Sequence, residues 1–126
     1  MLHEIGSTKT MSEIEAALHQ AAARHAFGVI AVHDLQAAMR NKGVPFDSEV
    51  RVFEVCNPMQ AKRVLEANGA VSTALPCRIS VYGVPGGYKL ATILPTAIMG
   101  MFGSPELAPV AEEVEAVVKA MMEEAA

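Results

Sequence analysis

Cys77-Arg78-Ile79-Ser80-Val81-Tyr82, then Gly83-Val84-Pro85-Gly86-Gly87, then Tyr88-Lys89-Leu90-Ala91-Thr92-Ile93-Leu94: two apolar, partly β-branched runs flank a loop of glycine and proline. Glycine accepts positive φ without steric cost and proline presets φ, so such a loop reverses the chain and joins two antiparallel strands as a hairpin. The stretches before it alternate between the two periods. Residues 2–8 suit a short strand. Thr10-Met11-Ser12-Glu13 is a capping-box helix start, and Ile14, Leu18, Ala21, Ala22 and His25 follow on one helical face. Gly28 to His33 is short, apolar and β-branched, the pattern of a buried strand. Asp34 caps a short helix carrying Leu35, Ala38 and Met39, closed at Asn41-Lys42-Gly43.

Glu49 to Cys56 is the next strand, with Val50, Val52, Phe53 and Val55 as packing residues. Asn57-Pro58-Met59-Gln60 then begins a helix: Asn caps, Pro stands where its missing N–H costs nothing, and Gln completes the box. Asn68-Gly69 ends it. Beyond the hairpin, Ser104-Pro105 opens a last helix that Pro109 breaks or restarts, with Val110, Val114, Val117, Val118 and Met121 as its apolar stripe. The order β-α-β-α-β-α-β-β-α, with its late hairpin, specifies an α+β two-layer sandwich, a mainly antiparallel sheet with helices on one face.

The 126 residues suit one domain spanning 1–126, and 52% hydrophobic residues exclude a disordered chain. With 5% aromatics and no Trp the core is aliphatic, with Met and Ala. The net charge of −4 argues against nucleic acid as a partner. Residues 104–126 hold six Glu and one Lys, so the acid sits on the last helix, as a solvated face. The start of the chain lacks a signal-peptide pattern, and no apolar run approaches the roughly 20 residues of a membrane span. A cytoplasmic location without membrane contact follows as the expectation. Two cysteines in that compartment are free thiols by default.

Those two, Cys56 and Cys77, are the distinctive chemistry. Cys56 ends a strand and precedes a capped helix, where the N-terminal partial charge favours thiolate. Cys77 opens a strand after Leu75-Pro76 and points to the core or to a pocket at the sheet end. Free cysteines commonly serve as small buried hydrophobes. Beside that role stand a ligand site for metal or haem, since thiolate is a soft ligand, and thiol redox or sulfur handling. The spacing of the pair is not that of a zinc cluster. Glu54, two residues before Cys56, is a candidate base or ligand, or else a strand-face partner of Arg78. Asn57 joins the candidates through its position beside Cys56. His33, at a strand end beside a helix cap, is the histidine best placed for a site; His25 suits a core boundary, and His3 and His19 suit solvent. Ile98-Met99-Gly100-Met101-Phe102 suits core packing, a pocket lining or a subunit contact.

Cys56-Asn57-Pro58 followed by Ala61 and Leu65, then Leu75-Pro76-Cys77 opening a strand, resembles domain-of-unknown-function family 302. Ala26-Phe27-Gly28-Val29, Asp34-Leu35-Gln36-Ala37 and Pro105-Glu106-Leu107 before Val110-Ala111-Glu112-Glu113 are further matching pieces, over roughly residues 8 to 120. The resemblance implies a two-layer fold like the TATA-binding-protein repeat, often paired as dimers, with related domains beside sulfur-carrier and rhodanese-like ones. It attaches no activity, and a fold name does not import DNA binding. Glu54 departs from a family position that is usually small, and Val84-Pro85-Gly86-Gly87 lacks the acidic residues common there. The expected function is non-enzymatic: binding of a small ligand, metal or haem in a pocket near the cysteines. The alternative is a thiol-redox or sulfur-transfer accessory with Cys56 as reactive thiolate and Cys77 resolving it. A homodimer through the Val110–Met121 stripe or a sheet edge is compatible with either.

Overall fold

Local chemistry sets most element boundaries. In the computed structural model, which describes residues 1–126, strand β1 spans Leu2–Ser7 and helix α1 spans Met11–Arg24. Thr10 Oγ1 accepts the Glu13 N–H at 3.2 Å while the Glu13 carboxylate accepts the Thr10 N–H at 2.9 Å, a complete capping box. The helix ends on a left-handed residue that is not glycine. Ala26 has φ +60°, which lets the Phe27 N–H reach the Ala22 carbonyl at 2.9 Å. Strand β2 follows at Gly28–Asp34 and helix α2 at Leu35–Asn41, capped by the Asp34 carboxylate on the Ala37 N–H at 3.0 Å. Strand β3 is Val50–Cys56. Asn57 Oδ1 then accepts the Met59 and Gln60 N–H groups at 3.0 and 3.2 Å and starts helix α3, Pro58–Ala67.

A 3₁₀ segment, Gly69–Ala74, leads to the hairpin of β4 (Cys77–Val84) and β5 (Gly87–Ile93). The strands run further into the loop than the glycines alone suggest: Val84 pairs with Gly87, leaving Pro85-Gly86 as the turn, with Gly86 at φ +85°. Gly87 is glycine for another reason, since a Cβ there would overlap the backbone carbonyl of Ser7 in β1. Helix α4 (Pro95–Gly100), a second 3₁₀ turn (Pro105–Leu107) and helix α5 (Ala108–Ala125) complete the chain. Pro109 falls in the first turn of α5, where it restarts the helix after the 3₁₀ turn.

The five strands form one antiparallel sheet in the order β1-β5-β4-β3-β2. This is the expected α+β sandwich, with helices packed on one side of the sheet. Alternation along the strands sends Phe53, Val55, Ile79, Val81 and Leu90 under the helices, where they meet Ile14 and Leu18 of α1 and Val118, Met121 and Met122 of α5. A smaller core joins Val64, Val71, Met99, Leu107, Val110 and Ala111 at one end. No helix is long and apolar enough to cross a membrane.

Three readings change. Strand β2 is an edge strand rather than a buried one: it pairs with β3 alone, a register shift interrupts it between Val29 and Ala31, and Ile30 is 60% exposed. The α5 stripe packs internally at Val110, Val118 and Met121, each at most 2% exposed, while Val114 and Val117 are half-buried. The acidic face of α5 is partly a set of ties: Glu113 meets Arg63 of α3 at 3.1 Å, Glu124 meets His25 at the end of α1 at 3.1 Å, and Glu115 receives the Thr96 hydroxyl of α4 at 2.7 Å. His3 is half-buried rather than exposed, its Nε2 shielded and without a partner.

Candidate functional site

Where β3 gives way to α3, the chain leaves the sheet through Cys56 and Asn57, and β4 enters beside it through Leu75-Pro76-Cys77. Val55 and Cys77 are paired across the two strands, which brings both cysteines to one end of the sheet. Helix α3 rises over that end, and the gap beneath it is a cavity of about 280 Å³. Its wall is built by Val55, Cys56 and Cys77 from the sheet, Ala61, Val64 and Leu65 from α3, Leu75 and Pro76 from the segment before β4, and Met99 and Val114 from α4 and α5. Phe27, delivered by the left-handed turn at Ala26, and the exposed Ile30 complete the apolar part. The wall residues with polar side chains are Asn57, Gln60 and Ser72, beside the two thiols.

Burial pushes Cys56 above its ordinary range, and burial, with the neighbouring Cys56 charge, pushes Cys77 up to about 11. The position of Cys56 before a capped helix favours thiolate, and burial acts the other way. The physical reason that burial prevails lies next door: Asn57 Oδ1 occupies the free N–H groups of Met59 and Gln60, leaving desolvation to dominate at the sulfur. The Cys56 charge acts on Cys77, in keeping with the place of both on one cavity wall.

Of the five residues singled out by sequence, Cys56, Cys77 and Asn57 line this cavity. Glu54 and His33 do not. Both belong to the sheet face away from the helices, where Glu54 accepts from Arg78 Nε and Nη2 at 3.4 Å and lies 3.4 Å from His33 Nε2. The carboxylate is thus engaged away from the thiols. No group of three or more His, Cys, Asp and Glu side chains is arranged to share a metal ion.

Gln60 is the wall residue that sequence reasoning assigned elsewhere. Its side chain does not close a capping box; Nε2 donates to Glu113 of α5 at 3.4 Å instead, and Oε1 is shielded from solvent with no partner. The signal was present in its position, one turn past the cap on the face that looks back toward Cys56. A second concavity of about 430 Å³ lies on the uncovered sheet face among Leu2, Val52, Ser80, Ala91 and Ile93, with Ile98 and Met101 of the α4 region beside it. Pro76 and Cys77 border both spaces.

Comparison with known proteins gives this geometry a family. The model of the domain of unknown function DUF302 matches residues 3–125. The chain belongs to that family. A DUF302 crystal structure, that of an uncharacterized conserved protein from Bacillus stearothermophilus, superposes with a TM-score of 0.94 at 29% sequence identity, covering 99% of this chain and 98% of that one. No curated protein matches the chain. For this DUF302 domain the two motifs that carried the resemblance, Cys56-Asn57-Pro58 and Leu75-Pro76-Cys77, are the two chain segments that meet at the cavity.

Proposed function

We propose that this DUF302 domain is a non-enzymatic binding protein whose cavity beside Cys56 and Cys77 holds a small apolar molecule. The observation that carries the reading is the wall itself: eleven of its fifteen residues are hydrophobic, and its two thiols are held neutral. A concave, mainly apolar space with few polar groups is the usual form of a small-molecule site. Its volume is near the lower end of such sites, which suits an occupant of about ten non-hydrogen atoms when scaled from the ~150 Å³ cavity that admits benzene. Metal or haem is the less supported occupant, because soft-metal binding draws on thiolate and burial opposes ionisation at both sulfurs.

Thermal unfolding with naphthalene or indole tests the reading. The expected result is a concentration-dependent rise in Tm that Ala61→Phe, which fills the space from α3, abolishes while the variant remains folded. No stabilisation by any apolar probe of this size overturns it. Protein purified without added metal that carries stoichiometric metal, lost in Cys56→Ala, overturns it in favour of the metal reading.

A thiol-redox or sulfur-transfer role remains the second reading, supported by the place of both cysteines on one cavity wall. Free thiols also support a reducing compartment such as the cytoplasm. If the domain pairs with a second copy, the exposed edge strands β1 and β2 and the uncovered sheet face, with Leu2, Ile93 and Met101 exposed, are surfaces open to it. Sedimentation of a monomer at high concentration removes that idea.

A further inference from the structure

Gln60 narrows the chemistry of the occupant, on the reading that the cavity is a binding site. Its backbone N–H is bound to Asn57 Oδ1, and its Nε2 reaches Glu113 at 3.4 Å, a long and weak bond. Its Oε1 is shielded from water and accepts nothing, although the residue forms part of the cavity wall. A buried acceptor without a donor is costly in a folded protein, and each such group calls for a partner. The terminal torsion of glutamine is broad, so the amide turns toward the cavity at small cost and gives up only the long Glu113 bond. Asn57, beside it on the wall, spends its oxygen on the helix, and its remaining hydrogen-bonding capacity is that of a donor. The two amides together present one acceptor and one donor.

We infer that the occupant is a neutral, largely apolar alcohol or phenol whose hydroxyl donates to Gln60 Oε1 and accepts from Asn57. An anionic head is disfavoured by the same pair. A carboxylate has no proton for Gln60 Oε1, and the Glu113 carboxylate stands behind the amide. The neutral thiols add no fixed positive charge to hold it.

Four ligands of one shape separate the possibilities: naphthalene, 2-naphthol, 2-methoxynaphthalene and 2-naphthoate, titrated by calorimetry at pH 7 into the wild-type chain. The expected result is that 2-naphthol binds about five- to tenfold more tightly than 2-methoxynaphthalene, which keeps the oxygen and loses the donor, and that 2-naphthoate is the weakest. The Gln60 side-chain amide resonances shift with 2-naphthol and not with naphthalene. Gln60→Met keeps naphthalene binding and erases the preference for 2-naphthol. Equal binding of 2-naphthol and 2-methoxynaphthalene, or 2-naphthoate as the tightest ligand, overturns this inference and leaves the apolar site standing. Failure of all four to bind overturns both. The wild-type ligand series decides the matter even where Gln60→Met fails to fold.

Discussion

At the scale of single residues, the cysteines are governed by desolvation more than by the helix they adjoin. Below pH 9 the Cys77 thiol is neutral whether the chain is folded or not; above it, the unfolded thiol ionises while the folded one waits until about pH 11. Stability contributed by Cys77 is therefore full below pH 9 and is lost as pH rises toward 11, by about 3 kcal/mol in total, a dependence that Cys77→Ala removes in denaturant titrations across that range. The same argument sets reactivity. At neutral pH iodoacetamide is expected to label Cys56 more slowly than free cysteine, and Cys77 more slowly still. A Cys56 that reacts faster than free cysteine would favour the thiol-redox reading instead. Ala26 is the other residue under constraint, since its left-handed backbone costs an L side chain about 1–2 kcal/mol. Part of that gain is returned as unfolded-chain entropy when glycine replaces it. Ala26→Gly is expected to stabilise the fold by about 0.5–1 kcal/mol, read as a Tm rise of about 2–4 °C.

Between elements, α5 does more than cover the sheet. Helix α4 has no side-chain cap of its own, and Glu115 of α5 supplies one by accepting the Thr96 N–H at 3.2 Å and its hydroxyl at 2.7 Å. Burial acts to raise the Glu115 carboxyl, but the Thr96 bonds and the nearby Lys119 outweigh it and hold the group below 4.5. A lowered carboxyl stabilises the fold at neutral pH and loses that contribution as pH falls below 4.5 through the folded-state value. Glu115→Gln is expected to cost about 1 kcal/mol at pH 7, with the gap to wild type closing under acid, followed by urea unfolding at several pH values. A gap that stays constant with pH would mean that the loss is steric. This tie also explains why α4 escaped sequence reading as a helix. Pro95 marks its first position locally, but its side-chain cap lies nineteen residues away.

Across the whole molecule, what sequence made legible was what neighbouring residues decide. Asn57-Pro58 declared the start of α3 because cap and N–H partners lie within three residues, and Pro85-Gly86 declared the hairpin because turn geometry belongs to the two residues in it. The place of β2 at the edge was not legible, since a strand's apolar content does not say how many neighbours it has. The cavity was legible only by its corners. Cys56, Asn57 and Cys77 marked the sheet end, while Phe27, Leu75, Met99 and Val114 come from segments whose meeting is set by packing alone.

The order of strands in the sheet has one more implication, for how the chain assembles. Strand β1 is the first made, yet its only partner is β5, with Leu2 against Ile93 and Ser7 against Tyr88. Until the hairpin exists, β1 has nothing to pair with, and α1 lacks α5, the helix it packs against. A sheet closed by its most distant segments forms slowly relative to one built from neighbours. A chain emerging from a ribosome therefore holds β1 unpaired until the β4–β5 hairpin has also emerged.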